Sequence, residues 1–193
     1  MNSIRSTTSF TRTLAWLVLL LGCAGVPAHA QDGTRPPSRA PDVRYEPSET
    51  DVVLTMVRMA GVKAGDVVFD LGCGDGRIVI AAVRHAQARG VCVDIDPRRI
   101  AESRENARLA GVADRIEFRT QDLFETDLSG ATVVMLFLWP EVNLKLRPKL
   151  RRELKPGTRI VSHWHDMGDW LPLETVAMTA SKRERNIYLW IIP

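Results

Sequence analysis

The sequence contains no internal repeat and no low-complexity tract, so neither a solenoid nor a fibrous chain is expected. No apolar run approaches the ~20 residues that a membrane-spanning helix needs; Leu14 to Leu21 is a run of eight residues. Charge of neither sign dominates. There are 26 Lys and Arg against 23 Asp and Glu, and two of the basic residues, Arg5 and Arg12, fall in the first thirty positions, which hold no acid. Without that stretch the balance is 24 to 23, which gives no support for a nucleic-acid surface. Cysteine is scarce, with three in 193 residues. His163 and His165 lie near Asp166 with nothing else of ligand type close by, so no metal site is expected. The length suits one domain with a sizeable core and a short appendage.

The appendage is N-terminal. Arg5 and Arg12 supply a basic start, Leu14 to Leu21 an apolar centre, and Ala28-His29-Ala30 a small-x-small cleavage site, which together read as a secretory signal over residues 1–30. No twin arginine is present, so export of an unfolded chain is expected, with a periplasmic or secreted product beginning at Gln31. The alternative is Leu20-Leu21-Gly22-Cys23, which is similar to a lipoprotein signal and would anchor the chain to a membrane through Cys23. Residues 31–47 carry Pro36, Pro37, Pro41 and Pro47 and read as a disordered linker, except that Tyr45 to Ser48 can instead fold over a ligand. The folded domain is then 48–193, opening on a helix that Ser48, followed by Glu49 and Asp51, is expected to start, with Val52, Val53, Met56, Val57 and Met59 at helical spacing up to Gly61.

The domain is organised around Val67-Val68-Phe69-Asp70-Leu71-Gly72-Cys73-Gly74-Asp75-Gly76-Arg77. An apolar strand runs into an acid and a glycine turn, and Ile78 onward opens a helix, the first half of a nucleotide-binding βαβ unit. The dinucleotide pattern G-x-G-x-x-G is missing, because Arg77 stands where its third glycine would be. Acids at Asp70 and Asp75 would repel a pyrophosphate at the helix N-terminus and attract a cationic ligand. S-adenosylmethionine, with its sulfonium and ammonium, fits; NAD does not.

Downstream, helices and strands alternate: a helix from Arg77 to about Ala88, a strand to Ile95, a helix from Pro97 to Leu109, strands over 115–120 and 131–138, one or two helices over 140–154 broken near Pro148, and a strand over 158–163. Two strands over about 174–181 and 186–192 have no helix between them and should form a hairpin. This is a doubly wound α/β pattern, whose ligand lies beyond the carboxyl ends of the strands. That places Asp70, Gly72, Gly74, Asp94 and Asp122 around one crevice. Asp94 closes the second strand and can accept both ribose hydroxyls; Asp96, just before Pro97, reads as a helix cap. The charged face of the helix from Pro97, including Arg98 and Arg99, reads as solvated. Cys73 and Cys92, counted from the acids Asp70 and Asp94, are offset by five residues, roughly 16 Å at about 3.3 Å per residue. A disulfide needs Cα atoms within about 7 Å, so both are expected to stay free.

The Asp70–Arg77 motif resembles the first motif of class I S-adenosylmethionine-dependent methyltransferases, and the likeness extends from Tyr45 to Pro193. It implies a Rossmann-like seven-stranded methyltransferase sheet with a C-terminal antiparallel hairpin. It also implies S-adenosyl-L-methionine as cofactor. Asp70 and Gly72 would hold the methionine part, Asp94 the ribose, Asp122 the adenine amino group and Leu123 the ring, with Gly74 in the turn and Tyr45 folded over the site. The Asn-Pro-Pro-aromatic motif of many amide and amine methylases is absent after the fourth strand, where Phe137-Leu138-Trp139-Pro140 stands. The segment through Gly157-Thr158-Arg159-Ile160-Val161-Ser162 instead resembles non-SET lysine methyltransferases. The acceptor implied is a protein lysine amine, with a small molecule as the other option. Trp139, beside Pro140, is either a wall for a lysine stem or core packing; His163 is either a base or a structural histidine. A different class also fits: an exported binding protein that keeps the nucleoside pocket without catalysis.

Overall fold

The computed structural model describes residues 39–180 and 182–193, so the signal reading of 1–30 and the first part of the linker lie outside the described residues. Four helices and seven strands follow in the order α1 (Thr50–Met59), β1 (Val67–Leu71), α2 (Arg77–Ala86), β2 (Arg89–Asp94), α3 (Pro97–Leu109), a short 3-10 turn (Ala113–Arg115), β3 (Ile116–Thr120), β4 (Val133–Leu136), α4 (Pro140–Glu153), β5 (Arg159–His163), β6 (Glu174–Ala180) and β7 (Arg183–Ile191). The strands form one sheet ordered β3-β2-β1-β4-β5-β7-β6. β1 to β5 are parallel; β7 inserts antiparallel between β5 and β6, as the absence of a crossover helix dictates.

The central strands are apolar on both faces because both faces are covered. Along β1 and β4 the side chains alternate. Phe69, Leu71, Val134 and Leu136 join Ile160 and Trp190 under Leu146 and Leu150 of α4. Val68, Val133 and Met135 point the other way, into Val52, Met56 and Val57 of α1 and Ile78 of α2. Further along that face Val79 and Val83 of α2 meet Cys92 and Ile100 of α3. Strand order reverses between β1 and β4, and the site opens there.

Four local expectations are corrected. α4 is one helix with Pro148 inside it. Pro148 and Leu144, whose carbonyl loses its partner, both lie on the exposed face, where solvent can reach that carbonyl, while Val142, Leu146 and Leu150 hold the buried face together. Ser48 does not cap α1; the cap position is Glu49, and the Ser48 hydroxyl instead meets His163 Nδ1 at 2.9 Å. Residues 39–47 carry no helix or strand but pack against the domain as a strap rather than hanging as a linker.

The cysteines are also not free. Cys73 and Cys92 form a disulfide with Cα atoms 5.4 Å apart. β1 and β2 do not align acid to acid: Asp70 pairs with Cys92, two residues short of Asp94. The chain then folds back at Gly72 (φ 77°), so that both Gly72 and Cys73 N–H groups donate to the Val93 carbonyl, at 2.8 and 3.0 Å. Cys73 therefore stays level with the second strand instead of continuing past it.

Candidate active site

A cavity of about 320 Å³ lies at the carboxyl ends of β1, β2 and β4. Its floor is the glycine turn. A Cβ at Gly72 would come within 2.8 Å of Leu138, and one at Gly74 within 2.6 Å of the Tyr45 ring, so the bare backbone there is required by close approach. Asp94 stands at the end of β2 in the cavity wall. Its Oδ2 accepts the Gly74 N–H and its Oδ1 the Asp96 N–H, both at 2.9 Å. Burial raises its pKa above the ordinary carboxylate value, partly offset by those two donors. Each oxygen keeps acceptor capacity for one further donor, as a pair of ribose hydroxyls would need. Asp96 accepts from Arg98 N–H and caps α3.

Asp122 and Leu123 line the opposite end with Gln121. Burial works against the Asp122 charge, but Arg39 Nε at 2.6 Å and the Phe124 N–H at 2.9 Å hold its pKa below the usual range. Tyr45 lies over Gly74, and its outer face carries the Arg99 guanidinium, 4.1 Å from the ring centroid. Arg99 also lines the cavity, so part of the α3 polar face serves the site rather than solvent. Arg77 pairs with Asp75 at 2.6 Å and donates to the Ser48 carbonyl at 2.8 Å, tying the glycine turn to the end of the strap.

Asp70 is not in the cavity wall. It sits beneath the turn, 1% exposed, and its Oδ2 accepts the Val79 N–H at 3.2 Å from the first turn of α2. Burial, with some repulsion from Asp75 and Asp94, raises its pKa to about 7. An unfolded carboxylate ionises near 3.8, so between about pH 4 and 7 the unfolded chain binds fewer protons than the folded one. Stability contributed by the protonated group is present below 3.8 and lost as pH rises toward 7. Asp70→Asn is expected to melt above the parent at pH 8, with the gap closing by pH 4; an equal gap at both values would contradict a buried, ionising Asp70.

A second cavity, about 270 Å³, adjoins the first. Val43, Arg44, Glu46 and Phe137 wall both; Trp139, Pro140, Trp164 and His165 complete the second. Trp139 is 50% exposed, which removes it from the core. His163 reaches neither cavity: it is fully buried behind Phe137, with ring centroids 4.0 Å apart. Burial, then the Arg185 charge, lowers its pKa to about 4, so it is neutral at pH 7 and packs behind Phe137. No trio of His, Cys, Asp or Glu placed to hold a metal occurs among the described residues.

The glycine turn, the strand-end acid and the loop carboxylate therefore converge on one cavity whose backbone is open to a nucleoside. Residues 70–174 match the family model of the ANTKMT methyltransferase domain. The chain is a class I S-adenosylmethionine-dependent methyltransferase of that family. The methyltransferase is 42% identical to a protein-lysine N-methyltransferase of Saccharolobus islandicus, over 80% of this chain and 97% of that one. It is 31% identical to a human lysine N-methyltransferase that takes its name from an ATP synthase subunit, over 81% and 69% of the two chains. A solved structure from Salinibacter ruber, described as an RNA methyltransferase in complex with S-adenosyl-L-homocysteine, superposes with a TM-score of 0.72. It is 51% identical and covers 77% of this methyltransferase and 94% of its own chain. S-adenosylmethionine is the cofactor, and the non-catalytic binding protein finds no support among these relatives.

Proposed function

We propose that the methyltransferase transfers its methyl group to the side-chain amine of a protein lysine. The observation that carries this reading is the second cavity: an aromatic-walled channel that opens to solvent at Trp139 and shares Phe137 and the strap with the cofactor cavity. The names of the Saccharolobus and human relatives point the same way. The cofactor supplies an electrophilic methyl on a sulfonium. The chain would hold its ribose through Asp94, its adenine through Asp122 and Leu123, and its methionine part against the glycine turn. Its remaining work is alignment and exclusion of water, because a deprotonated amine needs only to point its lone pair along the methyl–sulfur axis.

Full-length enzyme incubated with methyl-labelled cofactor and cell-envelope extract is expected to label protein. The label should survive ribonuclease and be recovered as methylated lysine after acid hydrolysis. Label recovered in RNA would instead support the activity ascribed to the Salinibacter protein, and would overturn the lysine reading. Trp139→Ala is expected to leave cofactor affinity intact and to change stability by less than about 1 kcal/mol, since Trp139 is exposed. Turnover should fall at least tenfold, measured as initial rates beside thermal melts.

Export belongs to the same proposal, supported by the N-terminal pattern and by a disulfide that favours an oxidising compartment. N-terminal sequencing from the native host should begin at Gln31; an intact Met1 would refute it.

A further inference from the structure

The strap and the end of β5 hold an arrangement that the cofactor does not need. Trp164 has a left-handed backbone (φ 68°), which a bulky residue adopts only when its surroundings impose it. Three contacts do so. The Trp164 N–H donates to the Asn186 carbonyl at 2.6 Å, the Arg185 guanidinium stacks 3.7 Å from the indole centroid, and His165 stacks on its ring at 5.3 Å. Arg185 is 3% exposed, with Nε and Nη1 left without hydrogen-bond partners, and its Nη2 lies 3.8 Å from both Glu46 and Glu49. A cation so buried is costly unless it secures something. Here it secures the indole of Trp164 and the carboxylate of Glu46, and both of these line the second cavity.

We infer that the second cavity binds an unbranched primary ammonium, with Trp139 as the face along its stem, Trp164 as the wall that Arg185 and His165 hold in place, and Glu46 as the charge that selects it. Aromatic faces attract a cation and disfavour an anion. Of the charged residues in the wall, Glu46 is the acid and Arg44 the base, and burial lowers the pKa of His165, disfavouring its charged form. Arg185 lines neither cavity. A carboxylate acceptor could pair with Arg44 alone and would face the Trp139 quadrupole unfavourably, so the cavity discriminates by sign.

This inference rests on the lysine reading but is tested by binding, without turnover. n-Butylammonium, n-butanol and butyrate are titrated into full-length protein saturated with S-adenosylhomocysteine, following the indole N–H signals of Trp139 and Trp164, assigned with Trp139→Phe and Trp164→Phe. The amine is expected to bind at least tenfold tighter than butanol or butyrate and to shift both signals. Glu46→Gln should remove about tenfold of the amine affinity and leave butanol unchanged, with thermal melts checking that the variant is folded. Glu46→Asp, which keeps the charge, should restore part of the loss. Equal binding of the three probes, or an amine affinity indifferent to Glu46→Gln, overturns the inference even if lysine is labelled. Amine binding as described, with no label on any lysine, overturns the lysine reading instead.

Discussion

Reducing the Cys73–Cys92 bridge is expected to lower the stability of the methyltransferase by about 3 kcal/mol and its melting temperature by about 6–12 °C. The two cysteines are 19 residues apart in sequence, and closing a loop of that length removes that much conformational freedom from the unfolded chain. The effect should extend to binding. Cys73 lies between Gly72 and Gly74, the residues that bring bare backbone to the cavity, and the bridge fastens that turn to β2 independently of the Val93 hydrogen bonds. Without it the turn samples more conformations, and the cofactor must order it on binding. Thermal melts with and without reductant, together with calorimetry of S-adenosylhomocysteine on Cys73→Ala, measure both effects. Identical melting in the two redox states, after denatured thiol counts have verified the states, would show that the bridge contributes nothing.

Asp94→Ala should weaken cofactor binding by roughly tenfold to a hundredfold, since hydrogen bonds to a charged group contribute about 1.5–3 kcal/mol. The carboxylate already orders the turn by accepting from Gly74 and Asp96, and it stands at the end of β2 in the cavity wall. Asp94→Asn keeps one acceptor and should lie between the parent and the alanine variant. The alanine variant also orphans two N–H groups, so its affinity is compared at a temperature where melts show both proteins folded. Unchanged affinity for S-adenosylhomocysteine by calorimetry would take Asp94 out of the ribose role.

The residues that could be read in advance were those whose signal is local. The Val67–Leu71 run, the three glycines and the acid closing β2 announce strand, turn and strand end through pattern alone, and all three fall where the pattern puts them. What escaped depends on partners distant in sequence. Arg39 is ordered by Asp122, 83 residues away, so a proline-rich polar segment that looks disordered becomes a strap. Ser48 is drawn from its cap position by His163, 115 residues on. Strand-end acids suggested a register for β1 and β2, but packing chose one displaced by two residues, and with it a disulfide. Arg99 looks like any exposed arginine on a charged helix until Tyr45 arrives beneath it. Trp164 gave no signal at all, because its role depends on a backbone angle and on Arg185 from another strand.

The strap has a thermodynamic consequence. Val43, Arg44 and Glu46 belong to both cavities, so neither ligand meets a wall indifferent to the other. A shift that one ligand imposes on these three residues moves the wall that the other ligand meets. The two affinities are then linked reciprocally: whatever factor the cofactor adds to acceptor binding, the acceptor must add to cofactor binding. Tyr45, from the same segment, covers the glycine turn, so this coupling reaches the backbone beside the first cavity as well.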